Sequence, residues 1–250
     1  MSNELLVTND LFMRYGGLVA TDHLSLSLRK GELHAIIGPN GAGKTTLLSQ
    51  LSGELRPTSG QIWLAGEDIT ALGLAERSHK GIARSFQITS ILTECTACEN
   101  VAVAVQAHQG HSFKFWRNAG KDRRLRDPAY ELLRRVGLAD CADVLAANLA
   151  HGARRQLELA MALASKPLCL LLDEPMAGMS AVESVEMTSL LQELKRDYTI
   201  LLVEHDMNAV FALADRVSVL VYGKLIATGT SDEIRSNPAV QIAYLGEETV

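Results

Sequence analysis

The sequence lacks the long apolar stretches that would place part of the chain in a membrane. No apolar run among its 250 residues approaches the about 18 residues of a membrane-spanning helix. The opening segment MSNELLVTND has neither the basic region nor the long apolar stretch of a secretory signal. Internal repeats and low-complexity linkers are also missing. These absences favour a soluble intracellular protein.

The chain has only four cysteines and carries no net positive charge. Cys95 and Cys98 form a CxxC pair, but Cys141 and Cys169 do not supply the second pair that a zinc site needs. The 24 basic and 29 acidic side chains give a formal net charge of −5, which argues against general affinity for nucleic acid. With 47% hydrophobic residues, the chain has enough apolar material for a buried core. Its length suits one large domain, or one domain with a smaller inserted one.

Short apolar segments predict a sheet interleaved with helices. Leucines alternate with polar residues over 24–28, which is the period of a half-buried strand. Residues 33–38 form a short apolar run that ends in glycine. Residues 168–174 and 199–205 form continuous apolar runs, typical of strands covered by helices on both faces. Residues 181–195 carry a helical pattern between two of these runs. The alternation predicts an α/β fold with a parallel sheet.

The middle of the chain, from about 88 to 148, predicts mainly helices. Asp127 followed by Pro128 is a typical helix start, because Asp caps a first turn and Pro tolerates the first helical position. We expect this helix to reach about Val136 and to end at Gly137. The α/β domain should therefore carry a helical insertion.

The segment GPNGAGKTT at 38–46, called here the phosphate loop, carries the pattern GxxxxGK[ST]. It follows an apolar strand and precedes a predicted helix over 47–52. Its glycines let the backbone curl so that successive N–H groups point at phosphate oxygens. In this pattern Lys44 reaches the β- and γ-phosphates of a nucleotide such as ATP, and the Thr45 hydroxyl binds Mg²⁺. The predicted nucleotide-binding residues are Asn40, Gly41, Ala42, Gly43, Lys44, Thr45 and Thr46.

Two carboxylates end the apolar run of residues 168–174. Asp173 is expected near the phosphate loop, where it can hold Mg²⁺. Glu174, one position on, faces differently and is placed to orient or deprotonate an attacking water. His205 ends the next apolar run, where a neutral imidazole could contact the γ-phosphate, although a lone histidine is more often a surface or core residue.

The order of these segments resembles the ATP-binding subunits of ABC transporters. The resemblance rests on the phosphate loop, Gln87 in ARSFQ, residues 149–163, LCLLLDEP and VEHD, and it extends over nearly the whole chain. It implies a single ABC ATPase domain over 1–250. That domain would have a P-loop core with a parallel sheet, an N-terminal antiparallel β region and a helical subdomain at 88–165.

The same resemblance implies roles for individual side chains. Tyr15 would stack on adenine, and Gln87 would connect Mg²⁺ and the water to the membrane partner. Gln87 would thus be both a catalytic residue and a metal ligand. Residues 149–153 would be the signature segment, which acts on ATP held by the opposite subunit of a dimer. The implied catalytic residues are Glu174, His205 and Gln87, and the implied metal ligands are Thr45, Gln87 and Asp173.

Three further segments resemble the branched-chain amino acid importer ATPases: MRYGGLVATDHLSLSL, EPMAGMS and AYLGEE. Urea and short-chain amide importers and the lipopolysaccharide-export ATPase are close relatives and remain alternatives. The resemblance implies transmembrane permease subunits, an indirectly coupled solute-binding protein, and a peripheral position on the cytoplasmic face of the cell membrane. A dimer of identical chains and one with a related ATPase subunit are both open.

Two other functions stay open. A soluble ABC-type protein acting on ribosomes or DNA usually has two cassettes or a long coiled coil, whereas this chain has one phosphate loop and no heptad stretch. A regulatory subunit that does not hydrolyse ATP is the other alternative, and only the signature segment supports it.

The signature segment departs from the usual LSGGQ, because it reads LAHGA at 149–153. Gly152 is retained, and a backbone N–H at a helix start can still bind phosphate. Ala150 cannot supply the serine hydroxyl that the family uses on the γ-phosphate. We expect either a slowed ATP site or a tolerated variant in which His151 and backbone donors compensate.

Overall fold

The computed structural model describes residues 3–85, 91–109 and 122–245. These residues form two β-sheets and the helices packed on them. The strands are β1 Glu4–Tyr15, β2 Leu18–Arg29, β3 Leu33–Ile37, β4 Ser59–Leu64, β5 Glu67–Asp68, β6 Ile82–Arg84, β7 Cys169–Asp173, β8 Thr199–Val203, β9 Arg216–Val221 and β10 Lys224–Gly229. The α-helices are α1 Lys44–Ser52, α2 Leu74–Lys80, α3 Ala97–His108, α4 Arg123–Arg135, α5 His151–Leu163, α6 Ala181–Leu194, α7 Met207–Leu213, α8 Ser231–Arg235 and α9 Pro238–Leu245.

The larger sheet has the strand order β10-β9-β3-β8-β7-β6. All neighbouring pairs from β9 to β6 are parallel, and β10 adds an antiparallel edge. Every residue of β3, β7 and β8 is buried, as expected for parallel strands with helices on both faces. The predicted α/β fold with a parallel sheet is therefore confirmed.

The smaller sheet, β2-β1-β4-β5, is antiparallel and confirms the expected N-terminal β region. In β2 the predicted alternation holds, because Leu24, Leu26 and Leu28 are buried between more exposed neighbours. One apolar cluster joins these leucines to Leu47 of α1 and Leu171 of β7. Helix α1 is thus packed between the two sheets, and its N-terminus lies close to the carboxyl end of the interior strand β3.

Helices α3, α4 and α5 pack against one another in the middle of the chain. Their buried residues, such as Val101, Leu133 and Leu157, share one apolar cluster with Leu170 and Leu172 of β7. This arrangement agrees with a helical insertion, and its boundary at 88–165 stays a prediction. Within the ranges described, no helix combines the length and apolar character needed to cross a membrane.

The predicted start of α4 at Asp127 and Pro128 is wrong. The helix begins at Arg123, the side chain of Asp122 accepts a hydrogen bond from the Arg124 N–H at 3.0 Å, and Pro128 lies inside the helix. Leu125, which precedes the proline by three residues, is already buried on the apolar face of the helix. We attribute the earlier start to this cap and to this burial, which together outweigh the backbone hydrogen bond that proline cannot make.

Candidate nucleotide-binding site

The phosphate loop leaves the end of β3 and leads directly into α1. Gly38 and Gly43 adopt positive φ angles of 154° and 104°. A Cβ on Gly38 would lie 2.0 Å from the carbonyl oxygen of Leu220, and one on Gly43 would lie 2.2 Å from that of Ala20. Only glycine fits these two close approaches. The N–H groups at the start of an α-helix have no acceptor within the helix, so the start of α1 is suited to binding an anion.

Lys44 is folded back over the loop that precedes it. Its side chain is largely buried, and its Nζ donates to the carbonyl oxygens of Gly38 at 2.5 Å and of Pro39 at 2.9 Å. Burial raises the pKa of Asp173, and the nearby Lys44 ammonium partly opposes that rise. Asn40, Gly41 and Thr45 are exposed, Gly43 and Thr46 are partly exposed, and Ala42 is buried.

Tyr15 lies at the end of β1, where the hairpin turns into β2, and 49% of the residue is exposed. Strand β2 touches the phosphate loop, because Ala20 is the neighbour that restricts Gly43. The turn between β9 and β10 also contacts the phosphate loop, since Gly223 donates its N–H to the carbonyl oxygen of Ala42 at 2.8 Å. The Tyr15 ring is therefore accessible on the strand pair that borders the loop, as stacking on a base requires.

Asp173, the last residue of β7, is held by an arginine that the motifs did not point to. Its Oδ2 accepts a 2.9 Å hydrogen bond from Arg84 Nη2, while its buried Oδ1 has no partner within the described ranges. Burial raises the pKa of the Asp173 carboxyl and the nearby Glu174 adds to this rise, although Arg84 and Lys44 oppose it. The available signal was the position of Arg84, at the end of a strand and directly before SFQ.

Glu174 and His205, which the sequence analysis singled out separately, lie close together. The distance between Glu174 Oε1 and His205 Nδ1 is 3.9 Å, and both side chains reach solvent. Glu174 has a φ of 49°, an uncommon conformation for a residue other than glycine, and its N–H donates to the carbonyl oxygen of Val203 at 2.9 Å. This bend directs Glu174 away from the strand direction that Asp173 follows.

Glu204 was also missed by the motif analysis. Its carboxylate is buried and accepts hydrogen bonds from the N–H groups of Met176 at 2.9 Å and His205 at 3.2 Å. Burial raises the pKa of Glu204, and the negative charge of Glu174 adds to that rise. Glu204 therefore ties the backbone after Glu174 to the backbone of His205.

The signature segment forms the start of α5. Ala150 is the N-cap residue and has no side-chain oxygen to offer, and His151 Nε2 is 3.1 Å from the carbonyl oxygen of Ala177. The Gly152 N–H donates to Glu183 Oε1 at 3.1 Å, so a carboxylate of α6 already contacts this helix start. Glu183 was not among the predicted residues, and no local pattern pairs it with Gly152. Gln87 lies outside the described residues.

Asp173 and Thr45 offer oxygen atoms of the kind that Mg²⁺ binds. The buried Asp173 Oδ1, without a hydrogen-bond partner in that part of the chain, is the kind of acceptor that a hard cation satisfies. Thr45 offers an exposed hydroxyl in the first turn of α1, a helix that packs against β7. The donor set is made of oxygens and fits Mg²⁺.

The phosphate loop between β3 and α1, with the carboxylates of Asp173 and Glu174 at the end of β7, defines a P-loop nucleotide-binding protein. The sequence profile of the ABC transporter family matches residues 21–177. A second profile, that of the branched-chain amino acid ATP-binding cassette transporter, matches residues 224–250. The chain belongs to the ABC transporter family, whose ATPases hydrolyse ATP to drive transport.

Named relatives and a solved structure agree with this membership. The high-affinity branched-chain amino acid transport ATP-binding protein LivG of Salmonella typhimurium is 41% identical over 99% of this chain and 100% of its own length. The corresponding protein BraF of Pseudomonas aeruginosa is 38% identical, again over 99% of this chain and 100% of its own length. An ATP-binding cassette of an ABC transporter, solved in its ADP conformation, is 29% identical with a TM-score of 0.87, covering 98% of this chain and 100% of that one.

Proposed function

We propose that this chain is the ATP-hydrolysing subunit of an importer for branched-chain amino acids. The observation that carries the proposal is the convergence of the phosphate loop with Asp173 and Glu174 at the end of β7. The substrate class is supported by full-length relatives that are named as branched-chain amino acid transport proteins.

ATP would bind along the phosphate loop and the start of α1. The backbone N–H groups of the loop and the first turn would receive the phosphate oxygens, with Gly41, Ala42 and Thr46 contributing backbone. Lys44 would exchange its two carbonyl contacts for the β- and γ-phosphates, gaining a charged partner. The exposed ring of Tyr15 would stack on adenine, while Asn40 would line the γ-phosphate end.

Thr45 and Asp173 would hold Mg²⁺, and Gln87 is the expected third ligand. When bound, Mg²⁺ neutralises charge on the β- and γ-phosphates. Arg84 and Lys44 supply positive charge near the buried Asp173 carboxylate and oppose the rise in its pKa that burial causes.

Glu174 would orient and deprotonate the water that attacks the γ-phosphate. Its side chain is partly exposed and so reaches a solvent-accessible water. His205 would contact the γ-phosphate, and its 3.9 Å distance from Glu174 lets the two act on one reacting centre. Glu204 would hold the backbone segments after Glu174 and at His205 together, because its carboxylate accepts hydrogen bonds from the N–H groups of Met176 and His205.

The second ATP contact would come from the signature segment of another subunit, identical or related. Ala150, His151 and Gly152 would face the γ-phosphate bound by the opposite phosphate loop. In this chain the contact would rely on backbone N–H groups, because Ala150 has no hydroxyl. A dimer with two ATP molecules between its subunits follows.

The membrane contact is proposed for an apolar groove of about 420 Å³ between α2, α3 and α5. Leu74 and His79 line it from α2, Ala104 from α3 and Met161 from α5. Ser85, which precedes the Gln87 segment, borders the same groove. A permease subunit would dock in this groove at the cytoplasmic face of the membrane. The solute-binding protein would act only through the permease.

We also propose that residues 1–250 form a single domain, in which 88–165 is the subdomain that carries the signature segment.

The test is sedimentation of Glu174→Gln protein with and without ATP. We expect this variant to bind ATP without hydrolysing it and to form an ATP-dependent dimer. Lys44→Ala is the control, because it removes the phosphate-binding charge, and it should stay monomeric. Retained ATP turnover in Glu174→Gln would contradict the role of Glu174. A monomer that binds ATP would contradict assembly of identical chains and favour a related partner.

Transport itself needs the permease. Purified chain, reconstituted with the permease subunits in vesicles, should hydrolyse ATP faster when leucine-loaded binding protein is added. Stimulation by urea-loaded protein instead would move the substrate class to amides.

A further inference from the structure

Arg84 connects three parts of the molecule that surround the proposed metal site. Its side chain is almost wholly buried at the end of β6. Nη1 donates to Ser49 Oγ at 2.9 Å and to Glu54 Oε2 at 2.5 Å, while Nη2 donates to Asp173 Oδ2 at 2.9 Å. Ser49 belongs to α1, Glu54 to the loop after it, and Asp173 to the end of β7.

These contacts depend on the planar guanidinium group of arginine, whose two terminal nitrogens donate hydrogen bonds in fixed directions. A lysine has one ammonium nitrogen, so it cannot present two separate nitrogens to α1 and β7 in fixed directions. A buried ion pair also adds little to stability, because desolvation of both charges offsets their attraction. The geometry therefore favours a role in orientation over a role in stability alone.

The two oxygens of Asp173 are in different situations. Oδ2 is taken by Arg84, whereas Oδ1 is buried and has no hydrogen-bond partner in the part of the chain that is described. Rotation of the carboxylate would break the contact with Arg84. Arg84 thus determines which oxygen remains available to a cation.

We propose that Arg84 is a positioning residue that orients Asp173 toward Mg²⁺ and aligns it with the phosphate-loop helix through Ser49. The inference rests on the proposed function, because it takes Asp173 as a metal ligand. Partners of this kind, which hold a ligand without touching the metal, change metal affinity by roughly 10- to 100-fold when they are removed.

The experiment compares nucleotide and metal binding in Arg84→Met, Arg84→Lys and Glu54→Gln. The affinity for ADP is measured with Mg²⁺ and with EDTA, and Mn²⁺ bound to the ADP complex is measured by electron paramagnetic resonance. Glu54→Gln is the matched control, since it changes the same network and leaves the contact between Arg84 and Asp173 in place. Thermal unfolding shows which variants are folded.

We expect Arg84→Met to weaken Mn²⁺ binding to the ADP complex by roughly 10-fold or more, with ADP affinity in EDTA nearly unchanged. Arg84→Lys, which can still pair with Asp173, should restore part of the loss, and it serves as the test if Arg84→Met does not fold. Unchanged Mn²⁺ affinity in a folded Arg84 variant would overturn the proposal, as would an equal loss in Glu54→Gln. Failure of the wild-type chain to bind ADP at all would instead refute the proposed function.

Discussion

The N–H of Gly152, in the first turn of α5, donates a 3.1 Å hydrogen bond to Oε1 of Glu183, in the first turn of α6. Glu183 Oε2 accepts at the same time from the N–H and hydroxyl of Ser180, at 2.9 and 2.8 Å. One carboxylate therefore caps two helices that start side by side. Because the N-cap residue Ala150 has no side-chain acceptor, Glu183 supplies a contact that the helix itself lacks.

Glu183→Gln should lower the melting temperature at neutral pH, because an amide cannot accept all three hydrogen bonds through its two ends. Hydrogen bonds from the Ser180 N–H, the Ser180 hydroxyl and the Gly152 N–H hold the pKa of Glu183 below its ordinary value of 4.5. A carboxyl group whose pKa is lowered by folding stabilises the fold at pH values above its ordinary pKa. This stabilisation is lost as the pH falls through the pKa of the folded state.

Thermal unfolding at a series of pH values tests this expectation. The difference between wild type and Glu183→Gln should be full at pH 7 and should shrink below about pH 4.5. Glu186→Gln, on the exposed face of the same helix, is the control and should behave like wild type. A constant difference across the whole pH range would rule out the carboxylate as the cause.

Ala150→Ser should stabilise the protein by about 1 kcal/mol, because serine at an N-cap accepts a backbone hydrogen bond that alanine cannot. The Gly152 N–H is already engaged by Glu183, so the Ala153 N–H is the expected donor. The added hydroxyl should also raise ATP turnover or tighten the ATP-bound dimer. Ala147→Ser, an exposed position nearby, is the control for urea unfolding and turnover. Equal stability, turnover and dimer affinity in both variants would refute the expectation.

Gly43→Ala should impair folding and nucleotide binding together. The residue has a φ of 104°, and a Cβ there would lie 2.2 Å from the carbonyl oxygen of Ala20. Gly41→Ala separates the strain of a positive φ from the close approach, because Gly41 has a φ of 77° but no neighbouring atom of the described residues within 4 Å of a new Cβ. We expect a loss of about 1–2 kcal/mol for Gly41→Ala from φ alone, and about 1–3 kcal/mol more for Gly43→Ala from overpacking. Urea unfolding measures both, and equal losses would contradict the close approach.

Asn100→Ala should destabilise the segment that follows the Gln87 region. Asn100 is buried, its Oδ1 accepts from the Leu92 N–H at 2.7 Å, and its Nδ2 donates to the carbonyl oxygens of Leu92 at 3.0 Å and Thr96 at 2.9 Å. Losing these partners should cost about 1–3 kcal/mol in urea unfolding. Val103→Ala, an exposed site on the same helix, should stay within about 0.5 kcal/mol of wild type. A loss of stability no larger than that of Val103→Ala would show that the hydrogen bonds of Asn100 do not stabilise this segment.

Much of the fold could be predicted because it depends on neighbours along the chain. Alternating leucines marked β2, continuous apolar runs marked β3, β7 and β8, and the helical pattern of 181–195 closely matched α6. The start of α4 was predicted wrongly, because it depends on the burial of Leu125 against other helices as well as on the cap by Asp122.

The sequence by itself determined the phosphate loop, the two carboxylates at the end of β7 and the α/β order, since each depends on residues that are adjacent or regularly spaced. Only the tertiary structure decided that Arg84 pairs with Asp173, that Glu204 accepts from the Met176 N–H, and that Glu183 contacts Gly152. Those pairings join segments far apart in the chain. They follow from strand order and helix packing, because a buried charge or N–H is paired with whichever acceptor or donor the fold places beside it.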